Sequence, residues 1–570
     1  MSLRINFLQY QLTEGQQTLL QELENFFSSD ITCFLLKGYA GTGKTFMMKG
    51  LTDYLLAKER NFRISAPTGR AAKVIATKTG RNAYTIHKTI YSNEDLKEYK
   101  VSNENGTETY KFYYELKRNE DSVDTVYIID EASMVSDIYN EQEFFRFGSG
   151  HLLRDFIKYV NADHNDHKRK IIFVGDNAQL PPVGMNFSPA LNRDYLGGTC
   201  NLSTQEYELT EVVRQQLESG ILHNATRLRE SLRTNTFFNL NVNTNFSDTI
   251  DLEYDSFLTE YIHACNNTVD EETIVVAYSN STVKDYNDRI RQHFFPDQKE
   301  IIEGDRIILL NNNYNYPEME LLNGDYGQVK EVSPIVESRG VVLKNKDNSG
   351  RVTNMQVDLT FRNVMITFYD KNNQPHDISC KIIEQLLYSQ NRDLTSDEMK
   401  ALYVDFKIRH PKLIPGTAEF KRTYKTDPYV NALRVKFGYA VTCHKAQGGE
   451  WKNVFLDCKT SMGSYSEGYF RWLYTGITRS SHRLYTMATP RFDTNTQPRE
   501  VGAHADNKPT TISIDTQFSG ELPFTFPEGQ PLLKYIYLAV IDCLKDEQIT
   551  VSSIKSTNYL EHYTLTSGTE

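Results

Sequence analysis

The sequence predicts an α/β protein built on two parallel sheets, and three observations carry that expectation. First, the glycine-rich stretch Gly38-Tyr39-Ala40-Gly41-Thr42-Gly43-Lys44-Thr45 follows an apolar run at 31–36 and leads into a helical pattern at 46–51. That is strand, loop and helix, the context a phosphate-binding loop requires. Second, the unit recurs: a strand at 62–66 ends in Pro67-Thr68-Gly69-Arg70 before a helix, one at 126–129 ends in Asp130-Glu131, and one at 170–174 ends in a polar turn with Gln179. Apolar strands with polar C-terminal ends mark a buried parallel sheet with its site along one edge. Third, a second α/β pattern begins near residue 217, with a strand at 273–278 and a helix after it, and returns at 436–441 and 454–457.

Composition bounds the rest. A chain of 570 residues exceeds one core, and about 150 residues per domain suggests three to five units. Hydrophobic and charged shares of 39% and 24% suit a globular protein. No apolar run approaches the ~18 residues of a membrane span, and no signal-peptide core precedes the first helix, so a soluble, cytoplasmic protein of bacterial or phage type is expected. Seven scattered cysteines without a C-x-x-C pair read as reduced thiols, with no zinc site. The net charge of −11 argues against a broad basic face, so any nucleic acid must lie in a narrow local channel.

Each element then has a local reason. Thr13 can cap a helix over 12–29, whose Leu19, Leu20, Leu23 and Phe26 fall at helical spacing. Residues 92–122 leave the pattern: two strand-like arms flank Asn105-Gly106, a β-hairpin signal, and the second arm carries Tyr110, Phe112, Tyr113 and Tyr114. From 303 to 430 short β-rich pieces suggest a small barrel with a polar, helical arm at 382–425. Residues 491–528 read as a linker, followed by an apolar helix near 535–544 and a polar tail.

The phosphate loop implies a nucleoside triphosphate and Mg²⁺ as cofactors. Successive backbone N–H groups of such a loop surround phosphates at a helix N-terminus. Gly38, Gly41, Thr42 and Gly43 shape the loop, Lys44 reaches the β- and γ-phosphates, and Thr45 holds the metal. Asp130 suits the metal shell and Glu131 the attacking water, although an acidic helix cap has the same sequence form. Gln179 is placed to bond the γ-phosphate or its water. Arg214 and Arg479 are candidate cations for the charge that phosphoryl transfer develops, but singly an arginine is more often a solvated surface charge.

The ordered series GYAGTGKT, APTGRAA, TIHK, IIDEAS, VGDNAQLPP, LTEVVRQ, VTCHKAQGGEW and YTGITRS resembles the motif set of superfamily 1B DNA helicases, most nearly the RecD-like and phage Dda-like branch, with Pif-type enzymes next. The likeness runs from about residue 11 to 490 and includes LTEGQ at Leu12, GDRIIL at Gly304 and NGDYGQV at Asn323. It departs from the pattern at Gly448-Gly449 and in the tail.

The resemblance implies two RecA-like P-loop NTPase domains (1–91 with 123–216, and 217–302 with 431–490), a β-hairpin pin at 92–122 in the first, an SH3-like barrel with its arm at 303–430 in the second, and a C-terminal extension at 491–570. It implies that Gln16 reads adenine, that Gly448 and Glu450 face the nucleotide from the second lobe, and that Arg214 and Arg479 reach the γ-phosphate. Pro67, Thr68, Thr85 and His87 would hold single-strand phosphates on the first lobe, and Thr442, His444 and Lys445 on the second. Tyr110, Phe112, Tyr113 or Tyr114 could stack on the last base pair, or merely pack the hairpin. The implied activity is ATP-driven 5′ to 3′ translocation on single-stranded DNA and unwinding of fork or duplex DNA by a monomer, with protein partners reached through the extension. A remodelling translocase of a RecD-like complex and a superfamily 1 RNA helicase are the alternatives.

Overall fold

The computed structural model describes residues 2–102, 108–141, 145–162, 168–212, 219–237, 241–316, 319–346, 352–415, 417–490, 537, 541, 549–557 and 560–567. In chain order the first lobe contains α1 (Glu14–Ser28), β1 (Cys33–Gly38), α2 (Lys44–Ala57), β2 (Phe62–Ala66), α3 (Gly69–Thr79), β3 (Ala83–Thr85), α4 (Ile86–Ile90), β4 (Tyr91–Ser102), β5 (Glu108–Leu116), β6 (Val126–Ile129), β7 (Phe145–Phe147), α5 (Leu152–Val160), β8 (Lys170–Gly175), α6 (Arg193–Cys200) and β9 (Thr204–Leu209). Six of these strands form one sheet in the order β3-β2-β6-β8-β1-β9, every pair parallel. Alternate residues of its central strands point to opposite faces. Phe34, Leu36, Val126, Ile128, Ile172 and Val174 meet α1 and α2, while Leu35, Tyr127, Ile129, Ile171 and Phe173 meet α5. The expected helix start is present: Thr13 caps α1, and Gln16 closes the capping box.

The second lobe adds α7 (Gly220–Thr234), β10 (Thr249–Leu252), α8 (Phe257–Ala264), β11 (Thr273–Ala277) and α9 (Asn280–Phe294). The chain then leaves through β12 (Arg306–Leu309), β13 (Tyr326–Lys346), β14 (Val352–Tyr369), β15 (Pro375–Ile383), α10 (Gln385–Tyr388), α11 (Ser396–Arg409), α12 (Ala418–Thr426) and β16 (Val435–Phe437). It returns as β17 (Ala440–Thr442), α13 (Cys443–Ala446), β18 (Trp451–Asp457), α14 (Glu467–Ile477) and β19 (Ser480–Met487). The lobe's sheet has the order β10-β19-β18-β11-β17 and is again all parallel.

The excursion is the antiparallel sheet β15-β14-β13-β12-β16. A bridge from Ile382 to Leu433 joins β15 to the segment that leads into β16. The arm helix α11 covers the long β13–β14 ribbon through Ala401 and Leu402 against Val341, Leu343, Leu359 and Phe361. Tyr403, Phe406, Phe420 and Tyr424 form a second arm cluster, and Tyr114 of the hairpin packs onto it.

Three features depart from the sequence reading. The apolar run 436–441 is two strands, since Val435–Phe437 pairs with β12 of the insertion while Ala440–Thr442 pairs with β11 of the lobe. The hairpin has a third strand: β7 pairs parallel with β5. The tail, read as polar, contains the antiparallel pair β20 (Ile549–Thr557) and β21 (Leu560–Ser567) within a separate unit, Asn495–Glu570. Of the helix expected at 535–544, Tyr537 and Ile541 are described and both are helical. Six cysteines are free among the described residues. No helix among the described residues is long and apolar enough to cross a membrane.

Candidate nucleotide cleft and strand groove

The phosphate loop sits at the C-terminal edge of the first sheet, between β1 and α2. Gly41 and Gly43 adopt φ of 79° and 84°, a left-handed backbone that glycine takes without a Cβ penalty, and Gly43 caps α2. The Lys44 ammonium donates back to the carbonyls of Gly38 (2.7 Å) and Tyr39 (2.9 Å), and buried Thr42 donates to Tyr39 O (2.8 Å). Thr45 lies in the first turn of α2. Gln16 meets this loop from α1: its Nε2 donates to Thr42 O (3.1 Å), and its Oε1 accepts from Thr13 N–H (3.2 Å). Its amide therefore braces the loop.

Opposite the loop, β6 ends in Asp130 and Glu131. Burial, then the charge of Glu131 beside it, pushes the Asp130 carboxyl up to about 7. Glu131 has φ of 50°, a conformation that non-glycine residues adopt chiefly where the surroundings impose it. The next strand, β8, ends in a loop where Gln179 is 5% exposed. The Gln179 Oε1 atom is buried without a hydrogen-bond partner.

The second lobe closes over this loop. Leu180 N–H donates to Thr475 Oγ1 (2.9 Å), Gln447 Nε2 donates to Leu180 O (2.9 Å), and Arg471 Nη1 donates to Asn177 O. Tyr39, Ala178 and Leu180 share one apolar cluster with Trp472, Leu473 and Tyr474 of α14. Glu450 pairs with Lys78 of α3 (3.0 Å) at an exposed position. Gly448 (φ 72°) and Gly449 lie where a Cβ would stand 3.0 Å from Ala71 Cβ and 2.8 Å from Arg70 Nε, so this unusual pair lets the lobes approach. Arg479 is buried, with Nε on Thr475 O (3.0 Å), Nη1 on Gly449 O (3.2 Å) and Nη2 on Thr478 Oγ1 (3.1 Å). Arg214 lies outside the described residues.

Residues 11–243 match a family described as an AAA domain, and residues 437–487 match the UvrD-like helicase C-terminal domain. The ATP-dependent DNA helicase Dda of Enterobacteria phage T4 is 25% identical, over 83% of this chain and 98% of that protein. The chain is thus similar to superfamily 1B helicases. An uncharacterized protein of Acanthamoeba polyphaga mimivirus is 24% identical over 83% of this chain and 99% of its own length. A Bacteroides Pif1 helicase, solved with ADP-AlF3 and single-stranded DNA, covers 94% of this chain and 98% of its own at 16% identity and a TM-score of 0.39.

The residues expected to hold a strand lie at the C-terminal edges of both sheets. On the first lobe, Thr68 caps α3, with Pro67 just before it, and Thr85 caps α4. On the second, Thr442 caps α13, which carries His444 and Lys445. A cavity beside α13 is lined by Lys445, Lys436, Arg392 and Lys284. Burial, then neighbouring Arg392, pulls Lys445 down to about 8, and burial with Lys284 does the same to Lys436. Of the hairpin aromatics, the Tyr110 and Phe112 side chains lie outside the described residues. Tyr113 lies under the Arg146 guanidinium (4.9 Å), and Tyr114 stacks on Phe147 (4.6 Å, 9° between planes). Tyr114 is therefore a packing residue between hairpin and arm.

His87 packs against Phe147 (5.2 Å) and Tyr91 (5.6 Å), and burial pulls its pKa down to about 4. Its pKa is depressed relative to an unfolded value of about 6.5, so the unfolded chain binds the extra proton. The stability it contributes is full above 6.5 and is lost as pH falls from 6.5 towards 4. His87→Phe is expected to flatten this slope by about 2 kcal/mol between neutral pH and pH 5. Urea unfolding at both pH values measures it, and equal slopes for the two proteins would refute the assignment.

Sequence reasoning missed Asp176, Tyr474 and Arg70, although each lies inside a recognised motif. Arg70 stacks on Trp451 of the second lobe (4.1 Å) and on Tyr326 of the insertion (5.0 Å). Only spatial proximity gives these residues their partners, and nothing in their spacing announces it.

Proposed function

We propose that this chain is an ATP-dependent DNA helicase that moves 5′ to 3′ along single-stranded DNA and opens duplex. The observation that supports this most is the convergence on one cleft of the phosphate loop, the Asp130-Glu131 edge and the Gln179 loop, with the second lobe bonded to the last of them. Dda, named as an ATP-dependent DNA helicase, covers nearly the same length.

The donor set fits magnesium. Thr45 and Asp130 offer hard oxygen ligands, and an Asp130 carboxylate whose ionisation burial and Glu131 oppose is the group a cation relieves. Bound ATP with magnesium supplies the transferable γ-phosphoryl group. Lys44 would exchange the carbonyls of Gly38 and Tyr39 for phosphate oxygens. Glu131 would take the proton of the attacking water, and the unpartnered Gln179 Oε1 would accept a hydrogen bond from that water and orient it. In the geometry observed, Arg479 braces the 448–449 turn, so its approach to a γ-phosphate would require those carbonyl bonds to exchange. Thr68 and Thr85 on one lobe, with Thr442, His444 and Lys445 on the other, would grip backbone phosphates without reading sequence, as a motor needs.

Forked substrates test the reading. A fork with a 5′ overhang is expected to be unwound with ATP, and one with only a 3′ overhang is not. Unwinding from the 3′ overhang alone would refute the polarity. Loading on an RNA strand in preference to DNA would refute the substrate class.

A further inference from the structure

Tyr474 of α14 is 1% exposed and crosses from the second lobe into the first. Its hydroxyl donates to Asp176 Oδ2 at 2.6 Å, and its oxygen accepts the backbone N–H of Ala40, in the phosphate loop, at 3.1 Å. Asp176 is equally buried, and its other oxygen accepts the N–H of Ala178 at 2.9 Å. Its main-chain carbonyl accepts Gln179 N–H at 3.2 Å. A continuous chain of hydrogen bonds therefore runs from a phosphate-loop amide, through a phenol of the opposite lobe, to the carboxylate that shapes the turn carrying Gln179.

We propose that Tyr474 is a positioning residue that ties the phosphate loop, the Gln179 turn and the second lobe into one unit, so that lobe closure sets where Gln179 stands. This rests on the ATPase reading above. Three features of the site require the hydroxyl. Asp176 is buried without an ion pair among the described residues, so its Oδ2 takes its strongest bond from Tyr474. The Ala40 amide is turned towards the cleft and is capped by a side chain of the other lobe. Gln179 Oε1 is buried and unpartnered, so its placement is set by its turn. Separating the lobes removes Tyr474 from both partners at once, and Asp176 and Ala40 N–H must then find others. A buried hydrogen-bond donor or acceptor left unmade is costly, so the phosphate loop and the Gln179 turn respond together. The phenol does not touch the reacting atoms; it acts through Gln179.

Tyr474→Phe keeps the ring among Tyr39, Leu180 and Trp472 and removes only the oxygen. The expected result is a fall of about tenfold or more in DNA-stimulated kcat, with KM for ATP and Kd for single-stranded DNA each within about threefold of the parent chain. Asp176→Asn, which can still accept Ala178 N–H, is expected to lower kcat similarly, and the double variant to be no worse than the poorer single one, because both break one chain. Unchanged kcat in Tyr474→Phe, additive losses in the double variant, or a rise in KM that accounts for the whole effect would overturn the proposal. An inactive parent chain would instead refute the ATPase reading, which keeps the two failures apart. A thermal melt of each variant identifies any that fails to fold, and in that case the Asp176→Asn kcat and KM decide alone.

Discussion

Lys44→Ala is expected to reduce DNA-stimulated ATP hydrolysis by at least about a hundredfold, the scale seen when one preorganised donor to developing charge is removed. Among the described residues the Lys44 ammonium bonds only to the carbonyls of its own loop, Gly38 and Tyr39. It holds no salt bridge among the described residues. Removing it therefore takes away a cation aimed at the phosphate position without opening a core, since the loop's shape rests on Gly41, Gly43 and the Thr42 bond to Tyr39. Circular dichroism and the melting temperature should match those of the parent chain, while strand unwinding disappears with hydrolysis. Turnover retained by Lys44→Ala would mean that the loop is not the site of hydrolysis.

The second large effect concerns stability. Asp305, at the entry to β12, is fully buried and receives Arg291 Nε (2.8 Å), Ile302 N–H (2.9 Å) and the Tyr439 hydroxyl (3.0 Å). Arg291 belongs to α9 of the second lobe and also donates to Gln298 O (2.5 Å) and Glu300 O. Burial raises the Asp305 pKa, and Arg291 opposes that rise. Asp305→Ala leaves a buried guanidinium without its counter-charge, and the expected loss is about 3 to 5 kcal/mol. Replacing both groups, Arg291→Met with Asp305→Leu, should cost less than Asp305→Ala alone, because no charge is stranded. Denaturant unfolding of the three proteins checks this. A single variant within 1 kcal/mol of the parent (about a tenth of an ordinary domain's stability) would show the pair to be dispensable.

These two sites differ in how far the sequence revealed them. Lys44 was legible because a phosphate loop is local: glycines, lysine and threonine at fixed spacing between a strand and a helix suffice. Asp305 lay in a recognised string, GDRIIL, yet its partners Arg291 and Tyr439 are 14 and 134 residues away, and no local pattern pairs them. The split of the run 436–441 has the same cause. Its apolar residues satisfy one strand or two equally well, and only the edges of β12 and β11 decide. Hairpin aromatics show the limit from the other side. Four rings invited a role on DNA, but Tyr114 proves to be committed to Phe147 and the arm, a contact that needs α11 and α12 in place.

By itself, then, the sequence determined the parallel α/β sheets, the phosphate loop, the carboxylates at the end of β6 and the ordered motifs of the family. Those features arise from hydrophobic periodicity and from backbone chemistry within a few residues. The tertiary structure alone decided how the halves of the site are joined. Gln16 braces the phosphate loop, Arg479 bonds within its own lobe, and Tyr474 spans the cleft to Asp176 and Ala40. Hydrogen-bond partners 298 and 434 residues apart carry no mark in the chain, because they are chosen by where two separately folded sheets come to rest.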